Sequence, residues 1–226
     1  MKIGVAQGLA RILKSEGVEW VSTFPACGMN NAIGDEGIPL LMARDERYAV
    51  ALADAYSRIT GGKRIGVCTV MGGINAAGIQ MAYGALAQAY EDSSPVLCIS
   101  EDVQVQHRDR GLYDLDAGLR SVSKWIGHVN LGERLPEIMR RAFTYLRTGR
   151  PGPVVVLISR PMCAELYDET EQPYRPVKGW RSGPHPADVD VAVKVLLSAK
   201  RPLLYVGEGV FYADATAELL QFAELA

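Results

Sequence analysis

The chain has 226 residues, enough for one large domain and part of another, and its 24 basic against 26 acidic side chains leave a formal net charge of −2. That balance gives no basic footprint for nucleic acid, and no apolar run approaches the ~20 residues needed to span a bilayer. Met1-Lys2-Ile3-Gly4 lacks the apolar stretch of a secretory signal, and Cys27, Cys68, Cys98 and Cys163 form no CxxC pair, so a cytoplasmic protein with reduced thiols is expected.

Helical and strand-like patterns alternate along the chain, which predicts an α/β fold with a doubly wound, mainly parallel sheet. Val5 to Ser15 has helical periodicity, with Leu9, Ile12 and Leu13 on one face. Gly17 stops it, and Val18 to Phe24 reads as the first strand, with Pro39 to Ala43 as a second. Glu46 to Thr60 is an amphipathic helix ended by Gly61-Gly62. Ile65 to Met71 is a strand followed by Gly72-Gly73, and Asn75 to Tyr90 is an Ala-rich helix. Pro95 to Ser100 is another buried strand, and Glu101 to Ser123 is polar and long enough for a functional loop. Lys124 to Val129 is a short strand, Arg134 to Arg147 a helix, and Val154 to Ser159 a strand apolar on both faces. The strands near 18–24, 65–71, 95–100 and 154–159 are expected in the sheet interior. Residues 164–186, with four prolines between Pro173 and Pro186, read as a linker. Helix Ala187 to Ser198, strand Pro202 to Val206 and helix Ala213 to Leu225 then read as the beginning of a second, incomplete α/β unit.

Several familiar signals fail. Gly61-Gly62-Lys63 is no phosphate loop, because Ser57 stands where the first glycine belongs. Gly207-Glu208-Gly209 has Tyr212 in place of the third glycine of a dinucleotide fingerprint. His107, His128 and His185 are too scattered for a metal cluster, and no metal ligand is assigned within the chain. Asp114 and Asp116 either coordinate a cation or lie in a solvated loop. Spacing alone gives Glu46 no more than the role of favouring a helix dipole from the first turn.

Taken together, Arg44-Asp45-Glu46, Ala49, Ala53, Tyr56, Arg58, Thr60 and Gly61 resemble the pyrimidine-binding domain of the acetolactate synthase and benzoylformate decarboxylase family of thiamine-diphosphate-dependent enzymes. There a strand-end Arg-His-Glu precedes a helix ending Tyr-x-Arg-x-Thr-Gly. The likeness continues in Glu16-Gly17-Val18, Phe24-Pro25-Ala26, Asn75-Ala76-Ala77-Gly78, Ala89-Tyr90 through Pro95, Lys124-Trp125 and Gly149-Arg150-Pro151-Gly152-Pro153. Arg201-Pro202 with Gly207 and Gly209 is similar to the start of the family's central domain. The resemblance implies a pyrimidine-binding domain over residues 1–163, a linker over 164–186 and the start of the central domain over 187–226.

It further implies thiamine diphosphate and Mg²⁺ as cofactors and a 2-oxo acid as substrate, with decarboxylation, carboligation or both as the reaction. Glu46 would be the catalytic carboxylate that hydrogen-bonds N1′ of the aminopyrimidine and shares its proton, the relay on which deprotonation of the thiazolium C2 depends. Pro25, Ala26, Asn75, Ala76, Ala77 and Gly78 would line the cofactor. Cys27, Ile74, Glu101 and Asp102 would face the substrate. The departures fall among these residues. Ala26 replaces a usual glycine, Glu101-Asp102 stands where Gly-Gln is common, and Ile74 lies where some decarboxylases carry a catalytic histidine. The family's Gly-Asp-Gly is absent, Gly34-Asp35-Glu36 being the nearest string, so the Mg²⁺ ligands are expected outside this chain. A missing C-terminal domain or a second subunit would complete the site, which in this family forms between subunits of a homodimer or tetramer. Two alternatives stay open: a non-catalytic scaffold module of the same fold, and the pyrimidine-domain subunit of a two-subunit decarboxylase.

Overall fold

The computed structural model describes residues 1–25, 27–73, 76–103 and 112–225. It divides into two units, Met1–Gly179 and Trp180–Ala226. The first unit runs β1 (Lys2–Gly4), α1 (Val5–Ser15), β2 (Val21–Thr23), α2 (Asn30–Asp35), β3 (Leu40–Met42), α3 (Glu46–Ile59), β4 (Gly66–Val70) and α4 (Ala77–Glu91). It continues with β5 (Val96–Ser100), α5 (Leu115–Leu119), β6 (Trp125–Val129), α6 (Leu135–Arg147), β7 (Val154–Ile158), α7 (Arg160–Ala164) and β8 (Leu166–Asp168).

Six strands form a wholly parallel sheet in the order β3-β2-β4-β5-β7-β6. The four strands expected inside the sheet are the four interior ones. They are buried throughout because helices cover both faces. Strand periodicity sorts their side chains into two cores. Val67, Leu97, Ile99, Val154 and Val156 face one core together with Leu9, Ile12 and Leu13 of α1 and Ile138, Met139, Phe143 and Leu146 of α6. Cys68, Val70, Cys98, Val155 and Leu157 face the other with Ala49, Val50 and Ala53 of α3 and Ile79, Ala82 and Leu86 of α4. Small side chains let α3 lie close on the sheet, where Ser57 Oγ donates to Pro95 O (2.7 Å) and accepts from the Gly66 amide (2.8 Å).

The stretch read as linker from residue 164 is, in its first part, packed on this unit. β8 pairs antiparallel with β1, and the Val5 amide donates to Glu165 O at 2.9 Å. Farther on, the Glu16 side chain, only 1% exposed, accepts hydrogen bonds from Tyr174 Oη and the Val177 amide and forms an ion pair with Arg147. Arg147 also donates to Val177 O at 2.7 Å. Proline-rich composition showed only where regular structure is interrupted; the docking of Tyr174 and Val177 involves a carboxylate about 160 residues away.

The second unit holds α8 (Pro186–Ser198), α9 (Gly209–Tyr212) and α10 (Thr216–Leu225). The strand expected at 202–206 does not form: that stretch is irregular, with Leu203 88% and Tyr205 99% exposed. A strand needs a neighbour to take its backbone hydrogen bonds, and these residues pair with none among the described residues. The helix expected from Ala213 starts at Thr216, after the short α9.

The buried Glu16 predicts a measurable anchor. Glu16→Ala leaves Tyr174 without its acceptor and Arg147 without its ion-pair partner, and should cost about 3–5 kcal/mol in denaturant unfolding, whereas Tyr174→Phe should cost about 1 kcal/mol. An unchanged midpoint for Glu16→Ala would show that this carboxylate does not hold residues 174–177.

Candidate functional site

All six sheet strands point the same way, so the loops that leave their carboxyl ends gather on one edge. From β2 the chain moves outward to β3, and from β4 it moves the opposite way to β5. The β2 and β4 ends therefore flank a topological switch point, the crevice in which open α/β sheets bind ligands. The Pro25 turn follows β2, Glu46 follows β3, Gly72 to Gly78 follow β4, and Glu101-Asp102 follow β5.

Glu46 is the first residue of α3, with Asp45 as the cap: Asp45 Oδ1 accepts from the Tyr48 amide at 2.9 Å. Its side chain turns inward, 5% exposed, and among the described residues nothing hydrogen-bonds its carboxylate. Its carboxylate oxygens thus keep acceptor capacity that no described residue takes up. Gly78, in the first turn of α4, lies directly against it. A Cβ at Gly78 would overlap Glu46 Oε1 and come within 2.6 Å of Met71 O. The structure thus joins Glu46 to the 76–78 turn, with Ala76 and Gly78 buried and Ala77 exposed. Ala26, Ile74 and Asn75 lie outside the described residues.

The turn after β2 is braced from below. Asn30 Nδ2 donates to Phe24 O (3.1 Å), Thr69 Oγ1 donates to Asn30 Oδ1 (2.8 Å), and Thr23 Oγ1 lies 2.6 Å from Thr69 Oγ1. Pro25 is exposed at the tip, and Cys27 is buried. Burial pushes the Cys27 thiol up to about 12, despite a favourable backbone contact at Met29. Glu101 reaches this turn. Its Oε1 accepts from the Gly28 amide (3.1 Å) and from Arg160 Nη2 (3.0 Å). Glu101 is buried while the Arg160 side chain is 64% exposed, so the guanidinium neutralises an inner carboxylate from the solvent side.

Asp102 is held differently. Its Oδ2 lies 2.8 Å from His128 Nδ1, and His128 Nε2 lies 2.9 Å from Asp116 Oδ1. The hydrogen bond to Asp102, and then that to Asp116, raise the His128 pKa to about 9 against the opposing effect of burial. Asp114 caps α5, accepting from the Ala117 amide at 3.0 Å. Among the described residues no group of three or more His, Cys, Asp or Glu is arranged to hold a metal.

Gly28, Asn30, Arg160 and His128 were not read from the sequence as site residues. Arg160 follows the β7 end by two positions, so the rule that sites gather at carboxyl ends of parallel strands points to it once the strand is placed. His128 carries no such signal, because its two aspartates come from other elements.

The family model described as "Thiamine pyrophosphate enzyme, N-terminal TPP binding domain" matches residues 3–119, just over half of the chain. The chain belongs to the thiamine pyrophosphate enzyme family. It is 33% identical over 223 residues to the glyoxylate carboligase of Escherichia coli O157:H7, covering 95% of this chain and 37% of that protein. It is 33% identical over 240 residues to the acetolactate synthase large subunit of Haemophilus influenzae, covering 99% and 40%. With the acetolactate synthase isozyme 2 large subunit of Escherichia coli K12 it shares 34% identity over 224 residues, 96% and 39%. The chain therefore spans about two fifths of the length of these relatives. In keeping with the family, the Glu46 carboxylate, which no described residue hydrogen-bonds, has the acceptor chemistry that an N–H of an aminopyrimidine would need. No described helix is long and apolar enough to cross a membrane.

The thiols provide a direct check on this geometry. Burial also raises Cys163, to about 11, and the hydrogen bond with Cys98, followed by burial, lifts Cys68 above the usual thiol range. Thiol labelling at pH 8 should therefore leave Cys27 and Cys68 unmodified in the folded chain and modify both once guanidinium unfolds it. Rapid labelling of Cys27 in the native chain, read by peptide mass spectrometry, would contradict the closed turn.

Proposed function

We propose that the complete protein is a thiamine-diphosphate-dependent enzyme acting on a 2-oxo acid, by decarboxylation, carboligation or both. The observation that carries this reading is the buried Glu46 side chain, whose carboxylate none of the described residues hydrogen-bonds, set tightly against Gly78, where a Cβ would overlap its Oε1. When bound, the cofactor supplies a nucleophilic carbon at C2 of its thiazolium ring. Glu46 would accept or share a proton at N1′ of the aminopyrimidine, and Asp45 keeps the carboxylate at the head of α3 by capping that helix. Pro25, Ala26 and Asn75 to Gly78 would form the walls around the ring. Cys27, Ile74, Glu101 and Asp102 would face the substrate. Of these, Glu101 is already committed to Arg160 and the Gly28 amide, which suits it to holding shape and charge.

The diphosphate and Mg²⁺ would be held by groups outside this chain, since hard Mg²⁺ takes oxygen ligands and no suitable cluster exists among the described residues. In this reading residues 1–163 form the pyrimidine-binding domain, 164–186 the connection and 187–226 the start of a central domain. A further domain or second subunit would complete the site in a cytoplasmic homo-oligomer. Leu41, Met42, Tyr48, Leu52 and Met81, exposed apolar side chains on β3, α3 and α4, support a covering partner on these elements.

The test is Glu46→Gln in the complete protein. The change is nearly isosteric and should keep fold and most cofactor affinity while lowering turnover roughly 10²- to 10⁴-fold, the range of a lost general acid–base. Exchange of the cofactor's C2 proton, followed by NMR, should slow with it; exchange at the wild-type rate would remove Glu46 from the mechanism.

A further inference from the structure

His128 sits in β6, beside the apolar Leu157 of β7. The charged groups that act most strongly on its ring are Asp102, beyond the β5 end, and Asp116, in the first turn of α5. Each ring nitrogen lies within 3 Å of a carboxylate oxygen: Nδ1 at 2.8 Å from Asp102 and Nε2 at 2.9 Å from Asp116. Ionised carboxylates only accept hydrogen bonds. A neutral imidazole has a single N–H, so it would satisfy one aspartate and set a lone pair against the other. The imidazolium donates to both.

Asp102 also ties the β5 end to its surroundings. Its amide donates to Ile158 O at 3.2 Å, and its Oδ1 accepts from the Val103 amide at 2.7 Å. Its carbonyl oxygen lies 3.1 Å from where a Cβ on Gly73 would stand, and a Cβ on Gly72 would overlap the Glu101 carbonyl. The turn between β4 and the cofactor-facing start of α4 therefore rests on the Glu101-Asp102 backbone.

We infer that His128 is a positioning residue for this sheet edge: as a doubly donating imidazolium it clasps Asp102 to Asp116 and fixes the backbone on which Gly72 and Gly73 pack. The inference rests on the proposed function only in taking this edge as the one that faces cofactor and substrate; the clasp belongs to this chain itself. Loss of the proton removes one of the two donors and changes the net charge of the trio from −1 to −2. The folded-state pKa lies above the ordinary value of ~6.5, so the clasp contributes fully below about pH 6.5 and is lost as pH rises through about 9.

An NMR titration of the 226-residue chain, which has three histidines, tests this directly. The His128 ring should titrate with a midpoint near 9, and the Gly72 and Gly73 amides should shift with that same midpoint. Asp116→Asn should lower the midpoint by about one unit or more for both ring and amides. His128→Gln should abolish that amide titration while the remaining spectrum keeps its dispersion. A wild-type His128 midpoint near 6.5, or Gly72 and Gly73 amides that ignore it, would overturn the inference without recourse to any variant. Absence of cofactor-dependent turnover in the complete protein would defeat the proposed function and leave these resonances as they are, so the two failures are distinguishable.

Discussion

In the first unit, β2, β4, β5 and β7 are buried on both faces, and this constraint decides where the described parts of the site stand. A parallel sheet covered by helices on both sides has no face on which polar side chains can meet a ligand. Chemistry is confined to strand ends, and because all six strands run in parallel, one edge collects the residues that follow each of them. The two-sided apolar strands that make the fold stable also concentrate Glu46, Gly78, Glu101 and Asp102 on one rim.

On that rim the three carboxylates are treated in three different ways. Glu46 is buried at a helix terminus and receives no hydrogen bond from any described residue. Glu101 is buried and neutralised by Arg160 together with the Gly28 amide. Asp102 shares an imidazole with Asp116. Pairing removes the desolvation cost of a buried charge and takes the group out of use as a free base. Of the three, Glu46 is the one whose acceptor capacity no described residue takes up. Its neighbours serve to keep the loops from β2, β4 and β5 in register.

The resemblance to thiamine-diphosphate enzymes rested on the order of short pieces, and the structure gives many of them plain structural work. Arg58 bridges Asp54 and Asp92, and Ser57 stitches α3 to the start of β4. Arg150 donates to Ser93 Oγ and Tyr90 O, tying the turn before β7 to the end of α4. A motif in this chain is thus largely a record of how α3 and α4 are locked to the sheet, with Gly78 bare of a side chain where Glu46 Oε1 and Met71 press against it.

The sequence by itself determined the periodic elements. Two-sided apolar runs named the four interior strands, and helical stripes such as Leu9, Ile12 and Leu13 named the helices that cover them, because those signals are local and repeat. It also singled out Glu46 as the candidate carboxylate, through the resemblance of its motif, where spacing alone offered only a helix-dipole role. Tertiary structure alone decided the rest. The expected strand at 202–206 is irregular because a strand depends on a neighbour's backbone, which no local propensity supplies. Residues 166–168 are docked by pairing with β1, and Tyr174 and Val177 by the buried Glu16. Arg160 became Glu101's partner and His128 the link between Asp102 and Asp116 only when strands far apart in sequence were laid side by side. Such pairings depend on distance in space, and a linear pattern carries no trace of them.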